Sequence, residues 1–409
     1  MPDDDRVSAS GEAGDAAAVM PSSPAGGIAG PPTPRHRSPE QVRGTPRSAP
    51  RSLWRTHREP SGFLMKSVKE WAAHYFSVAF SHRHPFRTYA APVGTQPGIF
   101  ELPDDCVVAM AGDWGTGTGP AEDVAKQIQK HHPEVTIHLG DVYYSGTPSE
   151  FRNYFLSSWP RGSSRTMLLN ANHEMYSGGY GYFGLALPEV GQETSYFCLE
   201  NDHWRILGVD SGYFARHFPL LEFLLKGLTR LPDENVTWLE DVVFRNRRDR
   251  RPVILLSHHA WFSSFDTEYG GVGRSVSPFL DRILLWFWAH EHRLAGYGRA
   301  RLGDDSPVRA RCIGHGGMPI ELKDRPKRKR NLVFYDARPV AKVKRDSVGA
   351  CGYAALELAG PKLTIRYGDQ FGATLLVEEW DRMPEGARGR VVHRSMDLTW
   401  LQDPGVLVA

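Results

Sequence analysis

The sequence predicts an α/β fold in which a mostly parallel sheet carries helices on its faces and a second sheet packs against it. Three observations carry this expectation. From about Cys106, apolar runs of strand length alternate with helical segments, the pattern of a parallel sheet built through helical crossovers. The C-terminal third reads almost entirely as strands separated by turn residues. Short polar segments stand just past the ends of apolar strands, where open α/β sheets build their sites.

The elements follow in order. CVVAMAGD is a buried strand, and Ala121–His131 a helix opened by Pro120. VTIHLGD is a strand, the region near 149–158 a helix, and TMLLNAN a strand. YFCLE and WRILGVD are strands, 233–246 is a helix carrying Val236, Trp238, Leu239, Val242 and Val243, and PVILLSHH is a strand. ARCIG, YAALELA, KLTIRYG and TLLVEEW complete the strand-rich end.

Before this core, residues 1–60 are rich in Pro, Ala, Ser, Gly and Arg. Such a segment buries too little apolar surface to offset its ordering entropy, so a disordered tail is expected. Residues 61–100 are expected to hold an amphipathic helix and a linker, because Phe63, Leu64, Val68, Trp71, Ala72, Tyr75 and Phe76 recur at helical spacing. The main folded domain is expected over 101–385 and a C-terminal tail over 386–409.

The chain has 409 residues, 41% of them hydrophobic, enough for one large core. A formal charge of +2 gives no argument for wholesale nucleic-acid or membrane binding. Cys106, Cys198, Cys312 and Cys351 form no CxxC pair, which leaves small buried hydrophobes as their reading. The start MPDDDR lacks an apolar export segment, and no apolar run reaches bilayer length. A soluble, cytoplasmic protein is expected.

Five segments hold the chemistry: Gly112-Asp113-Trp114-Gly115, Gly140-Asp141-Val142-Tyr143-Tyr144, Asn170-Ala171-Asn172-His173-Glu174, Ser257-His258-His259 and Ala289-His290-Glu291-His292. Together they offer carboxylates, an amide, a phenol and imidazoles, a ligand set suited to Fe, Mn or Zn. Carboxylates crowded at neighbouring strand ends repel one another unless a cation neutralises them.

The order Asp, Gly-Asp, Asn-His-Glu, His, His-x-His resembles the calcineurin-like metallophosphoesterase signature over about 105–300. Asp113-Trp114-Gly115 replaces the usual Asp-x-His, and Tyr144 supplies the last position of Gly-Asp-x-x-Tyr. Both departures resemble the ligand variant of the purple acid phosphatases. Ala171 and Ala289 stand where that family has Gly.

The resemblance implies a four-layer αββα sandwich, with two packed mixed β-sheets flanked by helices. It implies two metal ions, Fe(III) with Fe(II), Zn or Mn, or two Mn. Asp113, Tyr144 and His292 would hold one, and Asn172, His258 and His290 the other, with Asp141 between them. It implies hydrolysis of a small-molecule phosphate ester by a metal-bridging hydroxide attacking in line, with His173 as general acid or phosphate-binding group. Monoesters are the leading substrate reading. A phosphodiesterase, a non-catalytic metal-binding scaffold and a nucleic-acid processing factor are the alternatives.

Around this set, Glu174 either orients His173 or is a surface carboxylate. His259 should point away from His258 along a strand. His315 is a candidate to reach substrate from a Gly-rich turn, and Asp210 to support the ligand loops. The arginines between Arg245 and Arg251 form a basic cluster. Solvated helix ends explain it adequately, and anion steering is the alternative.

Overall fold

The computed structural model describes residues 83–90, 96–215, 229–266, 268–301, 307–318, 320, 322, 325–327, 331–343 and 346–409. The expected disordered tail (1–60) and amphipathic helix (62–80) lie outside the described residues.

The strands are β1 (Ile99–Glu101), β2 (Asp105–Ala111), β3 (Val135–His138), β4 (Arg165–Leu168), β5 (Phe197–Glu200), β6 (Arg205–Gly208), β7 (Val253–Leu256), β8 (Ile283–Trp288) and β9 (Leu294–Arg301). They continue with β10 (Pro307–Ile313), β11 (Leu332–Tyr335), β12 (Ala341–Val343), β13 (Asp346–Val348), β14 (Gly352–Ala359), β15 (Lys362–Asp369), β16 (Thr374–Met383), β17 (Gly386–Arg394) and β18 (Thr399–Trp400). A nine-stranded sheet runs β1-β5-β6-β7-β8-β10-β9-β11-β18, and a seven-stranded sheet runs β17-β16-β15-β14-β2-β3-β4. β12 and β13 form a separate ribbon.

Both large sheets are mixed. β2, β3 and β4 are parallel in one, and β6, β7, β8 and β10 are parallel in the other. The parallel strands therefore do not form one sheet. The C-terminal strands also form no sheet of their own, because β14 docks antiparallel along β2 and extends that sheet outward.

β7 and β8 are buried on both faces, which is why their sequences are continuously apolar. Val108 and Met110 of β2 and Ile254 and Leu256 of β7 meet between the sheets, with Phe287, Leu356, Ile365 and Trp380. The alternate residues face helices. Ala109 and Ala111 pack with Val124, Ile128, Phe151, Phe155 and Tyr182. Val253 and Leu255 pack with Trp238, Leu239, Val243, Val272 and Val276. The result is a helix–sheet–sheet–helix sandwich.

The helices lie close to their expected places. Gly119–Gln129 opens on Thr118, whose side chain accepts from the Ala121 amide, with Pro120 in the first turn. The region near 149–158 begins at Pro148 under a capping box between Thr147 and Glu150 and continues as wider, π-type turns over Phe151–Leu156. The helix expected over 233–246 is Asp233–Trp238 followed by π-type turns over Leu239–Val243.

The expected tail over 386–409 is instead part of the fold. β17 pairs with β16 and β18 with β11, and Leu407 is fully buried in the inter-sheet core. The reading missed it because Gly386–Arg394 carries alternating exposed polar residues, the pattern of an edge strand with one solvated face. All four cysteines are free and buried. Among the described residues no helix is long and apolar enough to cross a membrane.

Candidate metal centre

The five polar segments converge on one place, and the fold explains why. β2, β3 and β4 of one sheet and β7 and β8 of the other end at the same edge of the sandwich, and the turn leaving each carries a motif. Backbone bonds lock these turns together across the sheets. The Asp113 amide donates to Gly140 O over 3.0 Å, the Ala289 amide to His258 O over 3.1 Å, and the Gly316 amide to Gly112 O over 2.9 Å.

Three residues in these turns hold left-handed backbone: Asp113 at φ 56°, Asp141 at φ 72° and His290 at φ 66°. For non-glycine residues this costs on the order of 1–2 kcal/mol each. The cost is met by specific bonds. Asp113 Oδ2 accepts from the His290 amide at 2.8 Å, and Asp141 Oδ1 from the His173 amide at 3.2 Å.

Two ligand-type clusters result. Single donor atoms of Asp113, Asp141 and His292 lie within 4.8 Å of one another, and so do those of His258, His259 and His290. Asp141 connects them, its Oδ2 lying 3.4 Å from His258 Nε2. His258 Nδ1 donates to Leu139 O at 2.9 Å, which aims Nε2 into the cluster. His290 presents Nδ1 to that same Nε2 at 3.3 Å and Nε2 to the Tyr269 hydroxyl at 2.7 Å. Asn172 donates through Nδ2 to the Tyr176 hydroxyl at 2.9 Å, while its buried Oδ1 has no hydrogen-bond partner among the described residues.

The electrostatics are those of a charge cluster cut off from water. Burial alone would raise Asp141, but the imidazoles of His173 and His258 outweigh it and hold the carboxyl well below its usual range. Burial would lower His258, and Asp141, then Asp113, push it up to about 9. His290 is pushed down to about 4 by burial and the neighbouring His258. The residues present fit metal ions. An orphaned amide oxygen, two buried carboxylates and two imidazole nitrogens facing each other are donors that a cation would satisfy together.

Of the sequence-predicted residues, Asp113, Asp141, His258, His290 and His292 are in these clusters, and Asn172 precedes His173, whose amide donates to Asp141. Tyr144 is not among them. It is 56% exposed, and its neighbour Tyr143 takes the expected place. The buried Tyr143 hydroxyl donates to Asp113 Oδ1 at 2.6 Å, reaches Asp141 Oδ2 at 3.1 Å and lies 3.0 Å from His292 Nε2. The reason lies in the Tyr144 backbone, whose amide donates to Glu150 and whose carbonyl accepts from His173 Nδ1 at 2.7 Å. These bonds turn its ring outward, a long-range effect that motif spacing does not contain.

His173 itself, thus oriented, points Nε2 toward Asp141 Oδ2 at 3.8 Å and keeps 20% of its side chain exposed. His259 turns inward, its ring centre 4.9 Å from that of His290, because the chain has left the strand and both histidine amides meet the Ser211 hydroxyl. Glu174 is neither expected alternative: it is buried and accepts from the Asp141 and Val142 amides, holding the second turn in place. Asp210 accepts from Asn170, Ser195 and the Gly212 and Tyr213 amides, tying down the loop before Asn172. His315 is buried rather than reaching outward, and burial pushes it down to about 4. Tyr269 had no motif to reveal it.

Ala171 and Ala289 are accommodated by glycines opposite them. A methyl group on Gly140 would sit 2.6 Å from the Ala171 Cβ, and one on Gly112 would sit 2.3 Å from the Ala289 Cβ. Ala171 also has extended backbone, φ −140°, which any residue adopts.

Residues 107–294 match the family model described as calcineurin-like phosphoesterase. No curated protein matches the sequence. Similar solved structures include a purple acid phosphatase from yellow lupin (Lupinus luteus) seeds, with 14% identity over 67% of this chain and 53% of that one and a TM-score of 0.43. PhoD has 12% identity over 73% of each chain and a TM-score of 0.47. A dimetal phosphatase from Danio rerio has 9% identity over 70% of this chain and 99% of that one and a TM-score of 0.43. The chain thus spans about half the length of the lupin protein.

Proposed function

Residues 107–294 being a calcineurin-like phosphoesterase domain, we propose that the chain is a two-metal hydrolase of phosphate esters that acts on monoesters. The observation that carries this is the pair of donor clusters, Asp113/Asp141/His292 and His258/His259/His290, joined through Asp141 at the shared edge of the two sheets.

Asp113, Tyr143 and His292 would hold one ion, Asn172, His258 and His290 the other, and Asp141 would lie between them. Two cations so held would neutralise the ester and lower the pKa of water for in-line attack. Asp113, Asp141 and the Tyr143 phenol favour a highly charged ion on their side, and the softer imidazole–amide side suits Fe(II), Zn or Mn.

The remaining chemistry belongs to the chain. His173 is the proton donor to the leaving oxygen, because its Nδ1 is committed to Tyr144 O and only Nε2 faces the cluster. Glu174 and Asp210 hold the turns rigid, so that the ligands do not reorganise when charge develops. The partly exposed His173 and exposed Tyr144 stand at the rim, where an ester would enter.

The test is phosphate release from a panel of mono- and diesters by purified, metal-reconstituted protein beside His258→Ala. Metal-dependent turnover with a monoester preference, abolished by the substitution, is expected. A diester preference would replace the substrate reading. The absence of turnover with every Fe, Mn and Zn combination would leave a metal-binding scaffold.

A further inference from the structure

A second charged site lies at the opposite end of the strands that carry His258 and His290. A cavity of about 470 Å³ opens beside Pro252, just before β7, and Ile283, the first residue of β8. The histidines follow the other ends of these strands, so at about 3.3 Å per residue the two places are roughly 20 Å apart. Among the described residues the cavity is lined by Arg250, Arg251, Arg282, Arg299 and Arg309 and by two carboxylates, Asp281 and Glu385.

Arg250 and Arg299 are exposed, whereas Arg251, Arg282 and Arg309 are partly or fully buried. Arg309 is 8% exposed. Its Nε donates to Ala409 O at 2.9 Å and its guanidinium stands over Trp380. Burial, with Arg299 and Arg311 nearby, pushes it down to about 10. Arg282 is half-buried and donates to a backbone carbonyl, that of Asp249. Arg251 pairs with Asp249 and Glu200. By contrast Arg250, Arg282 and Arg299 form no ion pair with a carboxylate side chain among the described residues.

Five guanidinium groups around one cavity, against two lining carboxylates among the described residues, leave an excess of positive charge that an anion would offset. The volume falls within the range of small-molecule sites. Planar guanidinium forks from several directions match tetrahedral oxyanions bidentately. These arginines come from the loop before β7, the turn before β8, and strands β9 and β10.

We propose that this cavity is a binding site for a compact, multiply charged phosphate anion of the diphosphate or triphosphate class, separate from the candidate metal centre. It does not depend on the chain being a hydrolase, since no ligand-type residue of that centre lines it.

The experiment is calorimetric titration of the full-length, metal-loaded protein with pyrophosphate, with citrate as a polycarboxylate comparison. Arg250→Glu and Arg299→Glu serve as variants, because both side chains are exposed and lie outside the metal centre. Any pyrophosphate bound at the metals is common to all three proteins and drops out of the difference. The expected result is a saturable event with Kd below about 1 mM, weakened at least about tenfold by either substitution, with citrate binding weaker by a similar factor. Unchanged melting temperature and unchanged turnover of a simple monoester would accompany it. An isotherm identical in the variants, citrate binding as tight as pyrophosphate, or no saturable event outside the metal centre would each overturn the proposal. Loss of turnover with this event intact would overturn only the hydrolase reading.

Discussion

The hydroxyl of Tyr143 donates to Oδ1 of Asp113 across 2.6 Å, joining the turn after β3 to the turn after β2 in the middle of the donor cluster. The ring is buried, while that of Tyr144 is 56% exposed. Tyr143→Phe is therefore expected to lower metal affinity and turnover roughly 10–100-fold. Tyr144→Phe should leave metal content near wild type. Metal analysis after dialysis, with turnover measured in parallel, checks this. The reverse order of effects would return the ligand role to Tyr144.

Gly112 and Ala289 share one space, because a methyl group on Gly112 would lie 2.3 Å from the Ala289 Cβ. Gly112→Ala alone is expected to destabilise by about 1–3 kcal/mol through overpacking and to displace Asp113. Gly112→Ala combined with Ala289→Gly should recover most of the loss, since the nearest remaining contacts are 3.2 Å to Leu139 and 3.5 Å to the residue 289 Cα. Denaturant melts of the three variants read the coupling directly.

Arg311 of β10 and Glu378 of β16 pair across the two sheets with both side chains fully buried, at 2.7 Å through Nε and again through Nη2. Tyr367 and Trp380 donate to the same carboxylate, so its lone pairs are well used. Arg311→Met leaves a buried charge uncompensated and should cost about 3–5 kcal/mol. Arg311→Met with Glu378→Leu should lose less than the sum of the two single variants, because replacing both partners removes the charges' desolvation burden, while Tyr367 and Trp380 still lose their acceptor. A double-mutant cycle in equilibrium unfolding measures it, and additive losses would contradict this account.

Asp249 sets a pH dependence on the acid side. Burial would raise its carboxyl, but hydrogen bonds from Arg251 and the charges of Arg205 and Arg251 hold it at about 2. Because the folded-state value lies below the unfolded one of about 3.9, its stabilisation is complete above about pH 4 and is lost as pH falls toward 2. Allowing for solvent screening, it amounts to about 1 kcal/mol. Asp249→Asn should be less stable than wild type by that amount near neutral pH, and the difference should vanish near about pH 2. Stability curves of the two proteins across this range test it.

Much of the site was legible before the fold. Asp113, Asp141, Asn172, His258, His290 and His292 each follow an apolar strand in the sequence. The structure brings all of them to one edge. Polar residues are few along a strand buried on both faces, so a group of ligand-type residues just after it marks where the chain emerges. The fold class was legible for the same reason. The division of the parallel strands between two sheets was not, because β14 pairs with β2 across more than two hundred intervening residues and no local pattern encodes that partner.

By itself, then, the sequence determined the candidate ligand types, their order and the strand ends that carry them, since burial pattern and residue chemistry are local properties. Only the tertiary structure decided which way each side chain faces and what lies opposite it. Glu150 and His173 hold the Tyr144 backbone so that Tyr143 turns inward. Gly112 and Gly140 leave room for Ala289 and Ala171. Arginines from separate segments meet at the far end of the sheet. Each of these depends on hydrogen bonds and contacts between residues distant in the chain, whose strength is fixed by geometry in three dimensions rather than by neighbours in sequence.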